Sequence, residues 1–137
     1  MGLILDSSVL ITAERQGQNA RHMLAAIFRT TGDTEIALSV VTLIELAHGA
    51  ARADTAERKA KRQQFVQELL TALPMHSVTV PVALRVGQID GENQAKGVRL
   101  PLADLLIGVT ALELGYQVAT ANLRHFQMIP GLSVVQF

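Results

Sequence analysis

Three acidic residues of this chain lie inside apolar runs, where a carboxylate is costly. Asp6 closes Leu3-Ile4-Leu5 and precedes Ser7-Ser8-Val9-Leu10-Ile11. Glu45 sits in Val40-Val41-Thr42-Leu43-Ile44-Glu45-Leu46-Ala47, and Asp104 in Leu100-Pro101-Leu102-Ala103-Asp104-Leu105-Leu106-Ile107. An isolated buried carboxylate costs several kcal/mol unless it is paired, protonated or metal-bound. Three of them share one economical solution, a divalent cation. The chain has no cysteine, and His22, His48 and His76 are scattered without an i, i+4 pair. Oxygen ligands alone favour Mg²⁺ or Mn²⁺ over Zn²⁺. An ion so held keeps open positions for phosphate oxygens and activates water, which is the chemistry of phosphodiester hydrolysis.

Each acid also has a purely structural explanation. Asp6 can cap the helix that follows it, and Asp104 can favour a helix dipole. Glu45 can close a capping box with Thr42. The two readings are compatible, because a helix N-terminus stabilises a carboxylate in the ionised form that a metal needs.

The elements that must position these acids follow from periodicity. Leu3 to Leu5 reads as a buried strand, after which Ser7 and Ser8 offer caps for a helix to about Ala13. Asn19 to Arg29 has helical spacing, Gly32-Asp33 turns, and Glu35 to Val40 is a second strand. Thr42-Leu43-Ile44-Glu45 opens a helix to about Arg52, and a polar helix covers Thr55 to Leu73. His76 to Val80 alternates as a third strand, and Pro81 begins a helix that Gly97 stops. Asp104 to Leu114 is a further helix closed by Gly115. Gln117 to Thr120 is the fourth strand, and Asn122 to Phe126 a loop or turn of helix. Ser133 to Gln136 is the fifth strand. Strands alternating with helices predict an α/β fold, a three-layer α/β/α sandwich around a mainly parallel five-stranded sheet. In such sheets ligands bind beyond the carboxyl ends of the strands, where Asp6 and Glu45 fall.

The totals fit that fold. With 137 residues and no linker, repeat or low-complexity tract, residues 1–137 read as one domain. Hydrophobic residues make up 49%, which excludes disorder, and the core must be aliphatic because aromatics are 4%. No apolar run is long enough to span a bilayer, and Asp6 interrupts the N-terminal one, so a cytoplasmic protein is expected. Net charge is zero, so nucleic-acid contact would need local bases together with a metal. Arg52, Arg58, Lys59, Lys61 and Arg62 do cluster, a pattern that a solvated helix face also explains.

The runs Leu5-Asp6-Ser7-Ser8-Val9-Leu10-Ile11, Ser39-Val40-Val41-Thr42-Leu43-Ile44-Glu45-Leu46, Pro101-Leu102-Ala103-Asp104-Leu105-Leu106-Ile107 and Ala119-Thr120-Ala121-Asn122-Leu123-Arg124-His125-Phe126 resemble, in order, the successive motifs of PIN-domain nucleases. Ile129-Pro130-Gly131-Leu132 is similar to the close of the VapC toxins in that family. The resemblance implies a metal-dependent endoribonuclease, the toxin of a type II toxin–antitoxin pair. It further implies a homodimer inhibited by a small antitoxin whose tail enters the acidic site, and products ending in 3′-hydroxyl and 5′-phosphate. Carried onto this chain, it makes Asp6, Glu45 and Asp104 the metal-binding acids. Ser7 or Ser8 would support Asp6, and Thr120 with Asn122 would line the site. Many relatives have an acid at the place of Asn122 or His125, and this chain has neither. The donor set therefore predicts one metal site rather than two, and His125, which could approach a phosphate or a metal, reads rather as a surface or packing residue.

Among the bases, Lys96 and Arg99 are the better candidates for RNA phosphates, ahead of Arg85 and Arg124. Asp90 and Glu92, either side of Gly91, read as a solvated face. A second class of function is a catalytically weak PIN-like module acting through an antitoxin or RNA partner. A phospho-receiver domain would need a lysine near the last strands, and none follows Lys96.

Overall fold

The computed structural model describes residues 2–137. Its centre is the strand β1 (Gly2–Leu5), buried at all its positions. It pairs in parallel with β2 (Glu35–Ser39) on one side and β4 (Gln117–Thr120) on the other. The short β3 (Met75–His76) extends the sheet beyond β2, and β5 (Val134–Gln136) extends it beyond β4. The order is β3-β2-β1-β4-β5, all parallel, as the alternation of elements predicted.

Successive strand residues point to opposite faces, and the two halves of the core divide accordingly. Leu3, Leu5, Ile36, Leu38 and Ala119 face one layer, with α1 (Ser7–Arg15), α2 (Ala20–Thr31) and α4 (Ala56–Ala72). Ile4, Ala37 and Val118 face the other, with α5 (Val80–Ala95), α6 (Leu102–Leu114) and α7 (Leu123–Gln127). The helix α3 (Val40–Ala51) contributes Leu46 to the first layer and Val41 to the second. The three-layer sandwich is thus built by period-2 strands with one helical layer on each face. Among the described residues no helix is long and apolar enough to cross a membrane.

Several local expectations change. The helix carrying Glu45 does not open with a Thr42–Glu45 capping box. Ser39 is its N-cap and accepts from the Val41 N–H at 3.1 Å. Thr42 is fully buried with no hydrogen-bond partner on its hydroxyl, and Glu45 lies beyond the first turn. The third strand is only Met75–His76, because Thr79 caps α5 and draws Val80 into that helix. The α1 helix is preceded by Asp6, whose side chain makes no capping bond, so neither Ser7 nor Ser8 is the cap. The α6 helix begins at Leu102, which places Asp104 inside its first turn. The two helix-terminating glycines behave as read: Gly97 and Gly115 have φ of 75° and 71°, a region that disfavours other residues.

Candidate active site

The strand-to-helix junctions place the acids. The Asp6 N–H bonds the Ala119 carbonyl at 2.9 Å, extending the β1–β4 ladder one residue past β1. That bond fixes the Asp6 backbone at the carboxyl edge of the sheet. Its side chain is 4% exposed, and two hydroxyls satisfy one of its oxygens: Ser8 Oγ donates to Oδ2 at 2.7 Å and Thr120 Oγ1 at 3.0 Å. Each hydroxyl is itself oriented by a backbone donor. The Ala121 N–H bonds Ser8 Oγ at 3.0 Å, and the Asn122 N–H bonds Thr120 Oγ1 at 2.9 Å. The hydroxyl protons therefore point at Asp6. No described residue donates to its other oxygen.

Glu45 projects from α3 into the same region. Burial raises its pKa above the ordinary carboxylate value; the Ser7 hydroxyl opposes this, while the charges of Asp6 and Asp104 push it further up. Among the described residues nothing bonds its buried Oε1. Asp104 is likewise raised, mainly by burial and also by Asp6, against a lowering contribution from His125. The imidazole Nδ1 of His125 lies 2.7 Å from Asp104 Oδ2. The three acids thus act on one another's charge.

His125 is the correction at this site. Read from the sequence as a surface or packing residue, it is bonded to one of the three acids. Its partner lies on a different helix, 21 residues earlier, so no local pattern could have announced the pair. Ser8 and Thr120 brace Asp6, whereas Ser7 is buried and its hydroxyl acts on Glu45. Asn122 touches this network through its backbone, with an exposed side chain. Lys96 and Arg99 are exposed in and after the C-cap of α5, with no ion pair to a described residue.

Other charged candidates are engaged elsewhere. Arg85 pairs with Glu113 at 3.1 Å, and Asp90 and Glu92 bond glutamines on their own helix. In the basic cluster, Arg58 and Lys61 pair with Asp54 and Glu57, and Arg62 bonds Glu14 and the Gly49 carbonyl. The solvated-face reading accounts for Arg58 and Lys61, whereas Arg62 is drawn onto α1 and α3. A cleft of about 120 Å³ is lined by Glu45 among the acids, together with Ile11, Leu46, Phe65, Val66 and Arg62.

The residues present suit a hard divalent ion. Each acid retains one oxygen to which no described residue donates, and the donors are all oxygens. Among the described residues no three His, Asp or Glu side chains are gathered as a finished cage. An ion held there would keep several waters, the habit of Mg²⁺.

The PIN domain family model matches residues 3–131, and the chain belongs to that family. Ribonuclease VapC10 from Mycobacterium tuberculosis is 33% identical over 95% of this chain and 90% of its own length. The structure of DNA-bound VapBC from Salmonella typhimurium superposes with a TM-score of 0.81 at 26% identity, covering 99% of this chain and 98% of that one. VapBC-5 of M. tuberculosis, a member of the VapBC family of toxin–antitoxin systems, has the same fold, with a TM-score of 0.72 at 22% identity, over 100% of this chain and 98% of that chain.

Proposed function

We propose that Asp6, Glu45 and Asp104 hold a single Mg²⁺ or Mn²⁺ ion at which RNA is hydrolysed. The chain is an endoribonuclease of the VapC toxin class, the toxin half of a toxin–antitoxin pair. The observation that carries the site assignment is the buried, unpaired Oε1 of Glu45, whose charge is disfavoured by burial and by the other two acids. A cation relieves all of these costs at once. Such an ion, when bound, neutralises a phosphate oxygen and lowers the pKa of water. The protein's own part is to hold the acids: Ser8 and Thr120 fix Asp6, and Asn122 stands with an exposed amide beside them, able to orient water or a ribose hydroxyl. Water adding in line to phosphorus, with the P–O3′ bond breaking, leaves a 3′-hydroxyl and a 5′-phosphate. Lys96 and Arg99 would meet the flanking phosphates, and residues 1–137 would act as one domain.

The antitoxin would fill the apolar cleft that Glu45 lines and carry a segment into the acids. Ile44, Val80, Leu84 and Leu102 are 67%, 74%, 72% and 62% exposed on α3, α5 and α6. Apolar exposure on this scale supports a homodimer. A cytoplasmic location follows from an RNA substrate and a protein antitoxin.

Purified protein should cut RNA with Mg²⁺ or Mn²⁺, stop with chelator, and stop in a folded Asp104→Asn variant. Cleavage undiminished in that variant would overturn the assignment. Metal binding without cleavage of any RNA offered would instead favour the weak binding module.

A further inference from the structure

We propose that His125 is a positioning residue: its Nδ1–H holds Oδ2 of Asp104 so that the other carboxylate oxygen is aimed at the metal. The inference rests on the metal site assigned above. In the ionised form that a metal needs, Asp104 can only accept, so at 2.7 Å the imidazole nitrogen is then the donor.

The pair is held from both sides by packing. Leu105, next to Asp104, is 0% exposed, and Phe126, next to His125, is 1% exposed. Both belong to the core cluster on the same face of the sheet. The helix α7 is further tied down where the Asn122 N–H bonds Thr120, which itself bonds Asp6. Two short connections thus run from the first acid to the imidazole and from the imidazole to the third acid. The pair is also sheltered, with side chains 33% and 18% exposed, so solvent competes weakly for the bond.

Charge gives the arrangement its purpose. Asp104 is already disfavoured in its ionised form by burial and by Asp6. A further acid at position 125 would add repulsion, whereas an N–H donor there relieves it and leaves one oxygen unclaimed. Groups that hydrogen-bond a metal's ligands fix ligand orientation, and losing one typically lowers metal affinity about 10–100-fold.

The test uses Mn²⁺ alone with the full chain, without RNA. Titration followed by electron paramagnetic resonance should show His125→Ala binding Mn²⁺ about 10–100-fold more weakly than the native protein. His125→Asn should recover most of that affinity, because the amide nitrogen of asparagine sits as many bonds from Cα as Nδ1. Echo-modulation spectra of the native Mn²⁺ complex should lack the signature of a directly bound histidine ¹⁴N; this needs no variant to fold. A directly coordinated nitrogen, native-like affinity in the alanine variant, or equal loss in both variants would overturn the proposal. If the native protein binds no Mn²⁺, the metal-site reading itself fails, a result distinct from each of these.

Discussion

The hydroxyl of Thr120 donates to Oδ2 of Asp6 across a separation of 114 residues, at 3.0 Å. The end of one central strand therefore braces the first acid of the site from its neighbouring strand. The bond is buried, and the same oxygen of Thr120 accepts the Asn122 N–H. Thr120→Val keeps the shape and removes both interactions. It should destabilise the fold by about 1–3 kcal/mol, the desolvation cost of groups left unpaired. Urea denaturation measures this directly, and an unchanged midpoint would refute the bracing role.

Acidification should stabilise the metal-free protein before it unfolds it. Glu45 and Asp104 have pKa values raised above their ordinary 4.5 and 3.8. Each therefore binds its proton more tightly folded than unfolded. The resulting stability is complete below the ordinary values and is lost as pH rises through the raised ones. Melting temperature should thus climb as pH is lowered from neutrality towards the ordinary values of 4.5 and 3.8. Saturating Mn²⁺ should abolish that climb, as should the Glu45→Gln/Asp104→Asn double variant. A metal-free Tm that is flat or falling over this window, or a climb retained by the double variant, would contradict the account.

Gly108 lets the chain's final turn close on α6. A Cβ there would lie 2.5 Å from Ile129 Cδ1 and 3.2 Å from Leu132 Cδ2. Overpacking of this kind typically costs about 1–3 kcal/mol, so Gly108→Val should lower the melting temperature. Because α6 carries Asp104, RNA cleavage should fall with it. Full activity and stability in this variant would show that the tail does not fix α6.

The cleft beside Glu45 offers a way to separate catalysis from inhibition. Val66 is a half-buried part of its wall and lies outside the acid network. Val66→Glu should leave RNA cleavage near native while weakening inhibition by the antitoxin. Inhibition unchanged in a titration of cleavage against antitoxin would place the partner elsewhere.

Much of this was legible in the sequence because apolar context makes an acid conspicuous. Asp6, Glu45 and Asp104 stand out against leucines and isoleucines, and the strand-helix alternation puts Asp6 and Glu45 at one sheet edge. Legibility failed where two local signals competed or where a partner was distant. Thr42 and Glu45 match a capping box, but Ser39 sits at the end of a strand and captures the cap first. His76 to Val80 alternates like a strand, yet the Thr79 cap and Pro81 claim its end for α5. His125 stands where many relatives have an acid, but its bond to Asp104 could not be read from the sequence, since that is set by two helices meeting over a shared core.

The sheet order also governs when a newly made chain can steady its first acid. Synthesis proceeds from the N-terminus, so Asp6 emerges early, but the strand that pairs with its own and the hydroxyl that steadies its carboxylate come from Ala119 and Thr120. Once Asp104 has been made but Ala119 has not, the chain carries all three acids without the β4 partner that holds the first. A chain cut short before Ala119 would therefore lack both the bond that fixes the Asp6 backbone and the hydroxyl that steadies its carboxylate.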